Sequence, residues 1–202
     1  MIAWGLRELH DRVFFPARNK ALVTRLSPAF QDCASVLDLG ASDGRLAKAM
    51  SEFVSAEFTG CDVHLQPKPF IPVYKYDGIH LPFEDNAFDC VMLIDVLHHS
   101  DNAQEVLLEA KRVAKKYIFV KDHIWLTRLG FWNLAMQDYI ANKPYGIPVP
   151  FNFLQEDQWK SLFDRIGCTL LSYERFRLHA ADTLHHFSAK LSVGKQTQAS
   201  AN

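Results

Sequence analysis

No charge of one sign prevails in this chain: 22 Lys and Arg stand against 23 Asp and Glu, a formal net charge of -1. Phosphate backbones are held by clustered positive charge, so a strongly basic nucleic-acid binder of the histone or repressor kind is excluded, although a local basic patch is not. Long apolar runs are missing too. Nothing approaches the ~18 residues that a membrane-spanning helix needs, and the start, Met1 to Glu8, has neither the basic nor the apolar stretch of a signal peptide. The four cysteines, Cys33, Cys61, Cys90 and Cys168, form no Cys-x-x-Cys pair and no zinc-like spacing with histidine. Three lie inside apolar runs and read as small buried hydrophobes. A reduced, cytoplasmic protein without a structural metal is the expectation. Repeats, low-complexity blocks and linkers are also lacking.

What is present is material for a core. About half of the 202 residues are apolar (49%), the balance of a globular chain rather than a disordered one, and at this length roughly 70% of the unfolded surface can be buried. Ile2, Leu6, Leu9 and Val13 share a helical face; Pro16 interrupts, and Leu22, Val23 and Leu26 continue on a second short helix ended by Ser27-Pro28. From residue 35 strands alternate with helices. Ser35–Leu39 is a short apolar run, Gly40–Gly44 a tight turn, and Leu46, Ala47, Met50 and Phe53 one face of a helix. Glu57–Asp62 and Pro72–Asp77 read as strands ending in acids. Phe88–Asp95 is nearly all apolar, as a strand buried on both faces of a parallel sheet must be. Asp101 is the expected cap, and Gln104 the N3 partner, of an amphipathic helix carrying Ala103, Val106, Leu107, Ala110 and Val113. Tyr117–Val120 is a fifth strand, followed by a helical pattern over 124–141 and a loop with Pro144, Gly146, Pro148 and Pro150. Trp159, Leu162, Phe163 and Ile166 make a last helix face, closed by Gly167, before strands at Thr169–Phe176 and His185–Val193.

This alternation predicts an α/β fold, a doubly wound, mostly parallel sheet of seven strands. The last two strands have no helix between them and suit an antiparallel edge hairpin. Pro67, Pro69 and Pro72 argue against a full crossover helix between the second and third strands. One domain over 1–194 is expected. It comprises N-terminal capping helices (1–32), a cofactor half (35–122) and a lid or acceptor region (123–153), ahead of a flexible tail at 195–202.

Ligands in such sheets bind beyond the carboxyl ends of the strands. A dinucleotide fingerprint starting at Gly40 needs glycine at positions 42 and 45, where this chain has Ser42 and Arg45. The second glycine exists to let a pyrophosphate touch the backbone, so NAD and FAD are disfavoured and an oxidoreductase is a weak reading. Asp62 lies 22 residues after Gly40, near the ~20 expected for a ribose-binding acid.

Asp38-x-Gly40-x-Ser42-x-Gly44, then Asp62, then Asp77-Gly78, then Leu81–Asp89 and Asp95-Val96-Leu97-His98-His99 come in an order and spacing that resemble the class I S-adenosylmethionine-dependent methyltransferases, the type 11 small-methyltransferase subgroup in particular. The resemblance runs through residues 36–120. Ser42 and the Ala114-Lys115-Lys116 entry to the fifth strand depart from the family pattern. It implies a Rossmann-like methyltransferase fold and S-adenosyl-L-methionine as cofactor, bound by Asp38, Gly40, Ala41, Ser42, Gly44, Asp62, Val63, Asp77, Gly78, Asp95 and Val96. In that reading Asp62 takes the ribose diol, Asp77 the adenine amino group, and Asp95 and Val96 face the methionine end. That ligand carries no phosphate. Its carboxylate suits backbone N–H groups at the turn and helix start, and its sulfonium and ammonium suit acids and aromatic faces. Plainer roles stand beside these: Asp38 as a turn-holder, Asp62 as a strand-end acid, Asp77-Gly78 as a turn alone.

His98 and His123 are the candidates for a catalytic base, with Asp122 beside the second, just past the fifth strand; solvated loop residues are the plainer reading there. His98 and His99 lack a third ligand at metal-site spacing, so no metal is expected. Trp132, Met136, Tyr139 and Tyr145, in an aromatic stretch, are expected to line the acceptor pocket. No Asn-Pro-Pro-Tyr or Pro-Cys follows the fourth strand. Together with the neutral charge, this favours a small-molecule acceptor over nucleic acid or protein. A non-catalytic cofactor-binding module is the alternative, and an RNA or protein methyltransferase a further one. Oligomeric state is not encoded in any recognisable feature.

Overall fold

The computed structural model describes residues 15–143 and 146–194. The expected first helix, the acceptor-pocket candidate Tyr145 and the tail lie outside the described residues. The elements are α1 (Phe15–Leu26), β1 (Ser35–Leu39), α2 (Arg45–Met50), β2 (Glu57–Asp62), β3 (Val73–Lys75), β4 (Phe88–Ile94), α3 (Ala103–Val113), β5 (Ala114–Ile124), α4 (Arg128–Asn142), α5 (Glu156–Arg165), β6 (Thr169–Phe176) and β7 (His185–Ser192). Short 3₁₀ turns occupy Ser27–Phe30 and Leu97–His99.

The strands form one seven-stranded sheet in the order β3-β2-β1-β4-β5-β7-β6. β1 pairs in parallel with β2 and β4, and β4 with β5. β7 runs antiparallel to both β5 and β6, which makes the β6–β7 hairpin one edge of the sheet. The chain passes from β2 to β3 without a helix, as the three prolines dictate.

Period-two alternation sorts the strand side chains onto two faces. Leu37, Leu39, Val91, Leu93, Ile118 and Val120 join α3 and α5 in one core. Val36, Cys90, Met92 and Phe119 join α1, α2 and Phe30 in the other. All four cysteines are buried free thiols. No helix among the described residues is long and apolar enough to cross a membrane.

Several boundaries differ from the sequence reading, each for a local reason. The α3 cap is Asn102, whose side chain accepts from Glu105 N at 3.3 Å, one residue after the expected Asp101. Phe53 lies beyond α2 and is 66% exposed. β5 begins three residues early and ends four residues late because β4 and β7 give it partners along its whole length. The Leu81–Asp89 run is held by Arg112 of α3, which donates to the Leu81 and Phe83 carbonyls and to Asp85 and Glu109.

Candidate functional site

The carboxyl ends of β1, β2 and β4 converge on the Gly40–Gly44 turn. Gly40 has φ +82°, and a Cβ there would fall 2.4 Å from Val96 Cγ2; at Gly44 (φ +74°) it would fall 2.4 Å from Ile71 Cγ1. Both positions therefore require glycine on conformation and on space. Ser42 takes the left-handed backbone of the middle glycine it replaces, φ +52°. Its N–H donates to Asp62 Oδ2 at 2.7 Å, and Asp62 Oδ1 accepts from His64 N at 2.9 Å. Asp62 thus ties the end of β2 to the turn, and its remaining lone pairs stay available to a ligand hydroxyl.

Asp38, one strand away, is buried (4% exposed). Burial, reinforced by the Asp62 charge, pushes its carboxyl up to about 7. A buried acid of this kind favours a cationic group beside it. The backbone N–H groups of the turn are less available than expected. Those of Gly40 and Ala41 donate to the Cys61 carbonyl, that of Ser42 to Asp62, and that of Gly44 to the Ala41 carbonyl. The expected anion cradle for a methionine carboxylate is thus largely committed to the turn itself.

Val63 and Gly78 face each other across the ends of β2 and β3, a Cβ at Gly78 coming 3.7 Å from Val63 Cγ1. Asp77 caps its own turn, accepting from the Ile79 and His80 N–H groups at 2.8 and 2.6 Å, which lowers its carboxyl to about 2. Its turn-holding role is therefore real, and it leaves the carboxylate exposed beside that slot.

At the end of β4, Asp95 has a left-handed backbone, φ +57°. Lys121 Nζ donates to its Oδ1 at 2.5 Å, Arg18 of α1 pairs with its Oδ2, and His123 Nδ1 lies 3.4 Å away. Burial alone would raise this carboxyl, but the Lys121 and Arg18 charges hold it well below the usual range. Lys121 is fully buried.

Around it lies a cluster that the sequence did not disclose. Asp122 and His123 are not loop residues; they sit inside β5, paired with Phe187 and His186 of β7, and both are buried or nearly so. His98 Nδ1 donates to Asp122 Oδ1 at 2.6 Å, and its Nε2 lies 3.5 Å from Asp138 Oδ1 of α4. Burial would lower His98, but Asp122 and Asp138 push it up to about 10. His123 is lowered by burial and by Lys121, so it is the neutral member of the pair. His99 Nδ1 bonds the Pro148 carbonyl at 2.9 Å, and its Nε2 is 3.8 Å from the same Asp138 oxygen. Arg18, Lys121, Asp138 and His186 went unnoticed in the sequence. A lysine, an aspartate and a histidine directly following the apolar Ile118–Val120 were the one available signal.

The aromatic residues behave differently from expectation. α4 buries Leu134, Ala135 and Asp138. It leaves Trp132, Met136 and Tyr139 exposed at 68, 56 and 46%, because its inward face is the one that meets Phe153 and Trp125. Trp132 borders a groove with Trp125, Arg128 and Phe131.

This strand order, with a glycine turn after β1 and an acid ending β2, is a Rossmann-like fold of the kind found in methyltransferases. Residues 37–117 match the family model described as a methyltransferase domain. An uncharacterized protein of Methanocaldococcus jannaschii is 31% identical over 80 residues, 40% of this chain and 39% of that protein, so the match spans about two fifths of that relative's length. Among solved structures, the chain resembles one in the complex between the Haloferax volcanii Trm112 methyltransferase activator and a methyltransferase. The TM-score is 0.69 at 13% identity, covering 94% of this chain and 93% of the other. It also resembles Burkholderia thailandensis 1,6-didemethyltoxoflavin-N1-methyltransferase, solved with 1,6-didemethyltoxoflavin and S-adenosylhomocysteine. Here the TM-score is 0.65 at 15% identity, with 95% and 86% covered.

Proposed function

We propose that this protein transfers the methyl group of S-adenosyl-L-methionine to a small-molecule acceptor. The observation that carries the reading is the glycine turn fixed between Asp38 and Asp62, at the carboxyl ends of β1 and β2, within the segment that matches the methyltransferase domain. Asp62 takes the ribose diol, which suits a carboxylate held by the Ser42 and His64 N–H groups with lone pairs to spare. The adenine ring lies in the slot between Val63 and Gly78, with Asp77 at its rim. Asp38, whose carboxyl pKa is held up to about 7 by burial, ionises beside a cationic ligand and so favours its binding. Because the turn's own N–H groups are largely committed, the methionine end is assigned to the Asp95–Val96 side, with Val96 over Gly40 as the floor.

The bound cofactor supplies a methyl group already activated on sulfonium. What this chain adds is alignment and the exclusion of water. A base is required only for an acceptor that is protonated at neutral pH. His123, neutral, buried, and with no hydrogen-bond partner on Nδ1, fits that role better than His98, which two carboxylates hold protonated. The near-neutral charge favours a small acceptor over nucleic acid, and the four free thiols suit a reducing cytoplasm.

The test is turnover: the full chain is incubated with S-adenosylmethionine and a fractionated metabolite extract, and S-adenosylhomocysteine is measured. Sustained, extract-dependent formation is expected. Tight cofactor binding with no turnover on any fraction would favour a non-catalytic binding module instead.

A further inference from the structure

The Leu97–His99 turn and the buried face of α4 bring three donor atoms together that the reading above does not use. His98 Nε2, His99 Nε2 and one carboxylate oxygen of Asp138 all lie within 4.8 Å of one another. The two printed separations from Asp138 Oδ1 are 3.5 and 3.8 Å. Two ligand atoms held about 2.0–2.1 Å from one ion at the tetrahedral angle stand about 3.3–3.4 Å apart, so the two separations from Asp138 need only a slight contraction to close on a metal, while the two histidine nitrogens lie within 4.8 Å of each other.

Two further features point the same way. A metal-ligating histidine is normally fixed through its other ring nitrogen by a carboxylate or a backbone carbonyl. Here His98 Nδ1 is fixed by Asp122 and His99 Nδ1 by the Pro148 carbonyl, at 2.6 and 2.9 Å. Both rings therefore aim Nε2 at Asp138. In addition, Asp138 is 91% buried and its Oδ2 has no hydrogen-bond partner; Oδ1 accepts from Asn142 Nδ2 at 2.7 Å. No Lys or Arg reaches Asp138 among the described residues. In the metal-free protein the protonated His98 ring, 3.5 Å from Oδ1, is the cation beside this buried carboxylate; a metal would take its place as the Nε2 proton leaves.

The other combinations of these residues fit less well. In Asp95, His123 and His186 the carboxylate already carries Lys121 and Arg18. In His98, Asp122 and His123 a metal would have to break the His98–Asp122 bond that fixes the His98 ring. We infer that His98, His99 and Asp138 form a binding site for a divalent first-row transition metal. Two imidazoles and one carboxylate leave coordination positions open. His99, at 19% side-chain exposure, lies on the open side. The site sits two residues past Asp95-Val96, at the same edge of the sheet as the proposed cofactor crevice, so an acceptor with oxygen or nitrogen donors is the ligand that would fill the open positions. The metal site itself does not depend on the methyl-transfer reading.

The experiment uses the full chain, stripped with chelator and titrated at neutral pH with ZnCl2 by calorimetry and with CoCl2 by visible absorption, in excess Mg2+. One equivalent of each ion is expected to bind, with cobalt giving bands of a nitrogen- and oxygen-ligated ion. Asp138→Asn and His99→Ala should each weaken zinc binding by more than about 100-fold, beyond the 10–100-fold that loss of an outer-sphere partner causes. Their metal-free melting temperatures should stay near the parent's, which is the control for folding. No saturable binding by the parent, or binding unchanged in both variants, would overturn the site; in that case a proton between His98 and Asp138 fills the space. S-adenosylhomocysteine binding by the same samples separates the two readings. Cofactor without metal removes this site alone, and metal without cofactor removes methyl transfer alone.

Discussion

Asp38 is a carboxylic acid where a carboxylate is costly. Burial and Asp62 raise its folded pKa to about 7 from 3.8. The folded state therefore holds the proton more tightly than the unfolded one. The associated stability is full below pH 4 and is lost as pH rises toward 7. Asp38→Asn should consequently stabilise the ligand-free protein increasingly with pH. The stability gap over the parent should grow by about 2–3 kcal/mol between pH 5 and pH 8, as read from urea unfolding at the two pH values. A constant gap would mean that Asp38 is not the titrating group. The same variant should bind S-adenosylhomocysteine more weakly. Asp62→Ala should weaken cofactor binding by about 1.5–3 kcal/mol, the range for charge-assisted bonds to a diol together with loss of the Ser42 tether; calorimetry decides, and an unchanged affinity would remove Asp62 from the site. These acids were legible in the sequence because the glycine turn places them by local rules. Asp138, Arg18 and Lys121 were not, because a side chain from a helix 39 residues past His99, or from α1, meets the site only through tertiary packing.

Among the elements, α3 and its Arg112 illustrate what a motif can conceal. The Leu81–Asp89 run resembles a family signature, yet its physical role here is to be clasped by one guanidinium that bonds two carbonyls and two carboxylates. Arg112→Met should destabilise the fold by about 1–3 kcal/mol, measured by chemical denaturation, with cofactor affinity falling less than in Asp62→Ala. Strand periodicity was read correctly because burial on two faces forces it. The extent of β5 was not, since Lys121, Asp122 and His123 are polar residues that the strand tolerates only by pairing them with Asp95, His98 and one another. α4 shows the converse. Its aromatic density suggested an acceptor wall, but a helix can bury only one face, and the packing of Leu134 and Ala135 against Phe153 turned Trp132, Met136 and Tyr139 outward.

At the scale of the whole molecule, the absence of net charge and of long apolar runs narrowed the field, and the sheet order narrowed it further. One edge of the sheet holds two chemically different neighbourhoods. One is an acid-rimmed glycine turn at β1 and β2; the other is a buried histidine–carboxylate cluster at β4, β5 and β7. The first suits a cationic, phosphate-free nucleoside and the second a polar acceptor or the ion that holds it. The central claim concerns the first, and calorimetry of the full chain with S-adenosylhomocysteine and with NAD tests it most directly. One equivalent of S-adenosylhomocysteine should bind, and NAD should not. Folded protein that binds no S-adenosylhomocysteine at millimolar concentration, or that prefers NAD, would contradict the account.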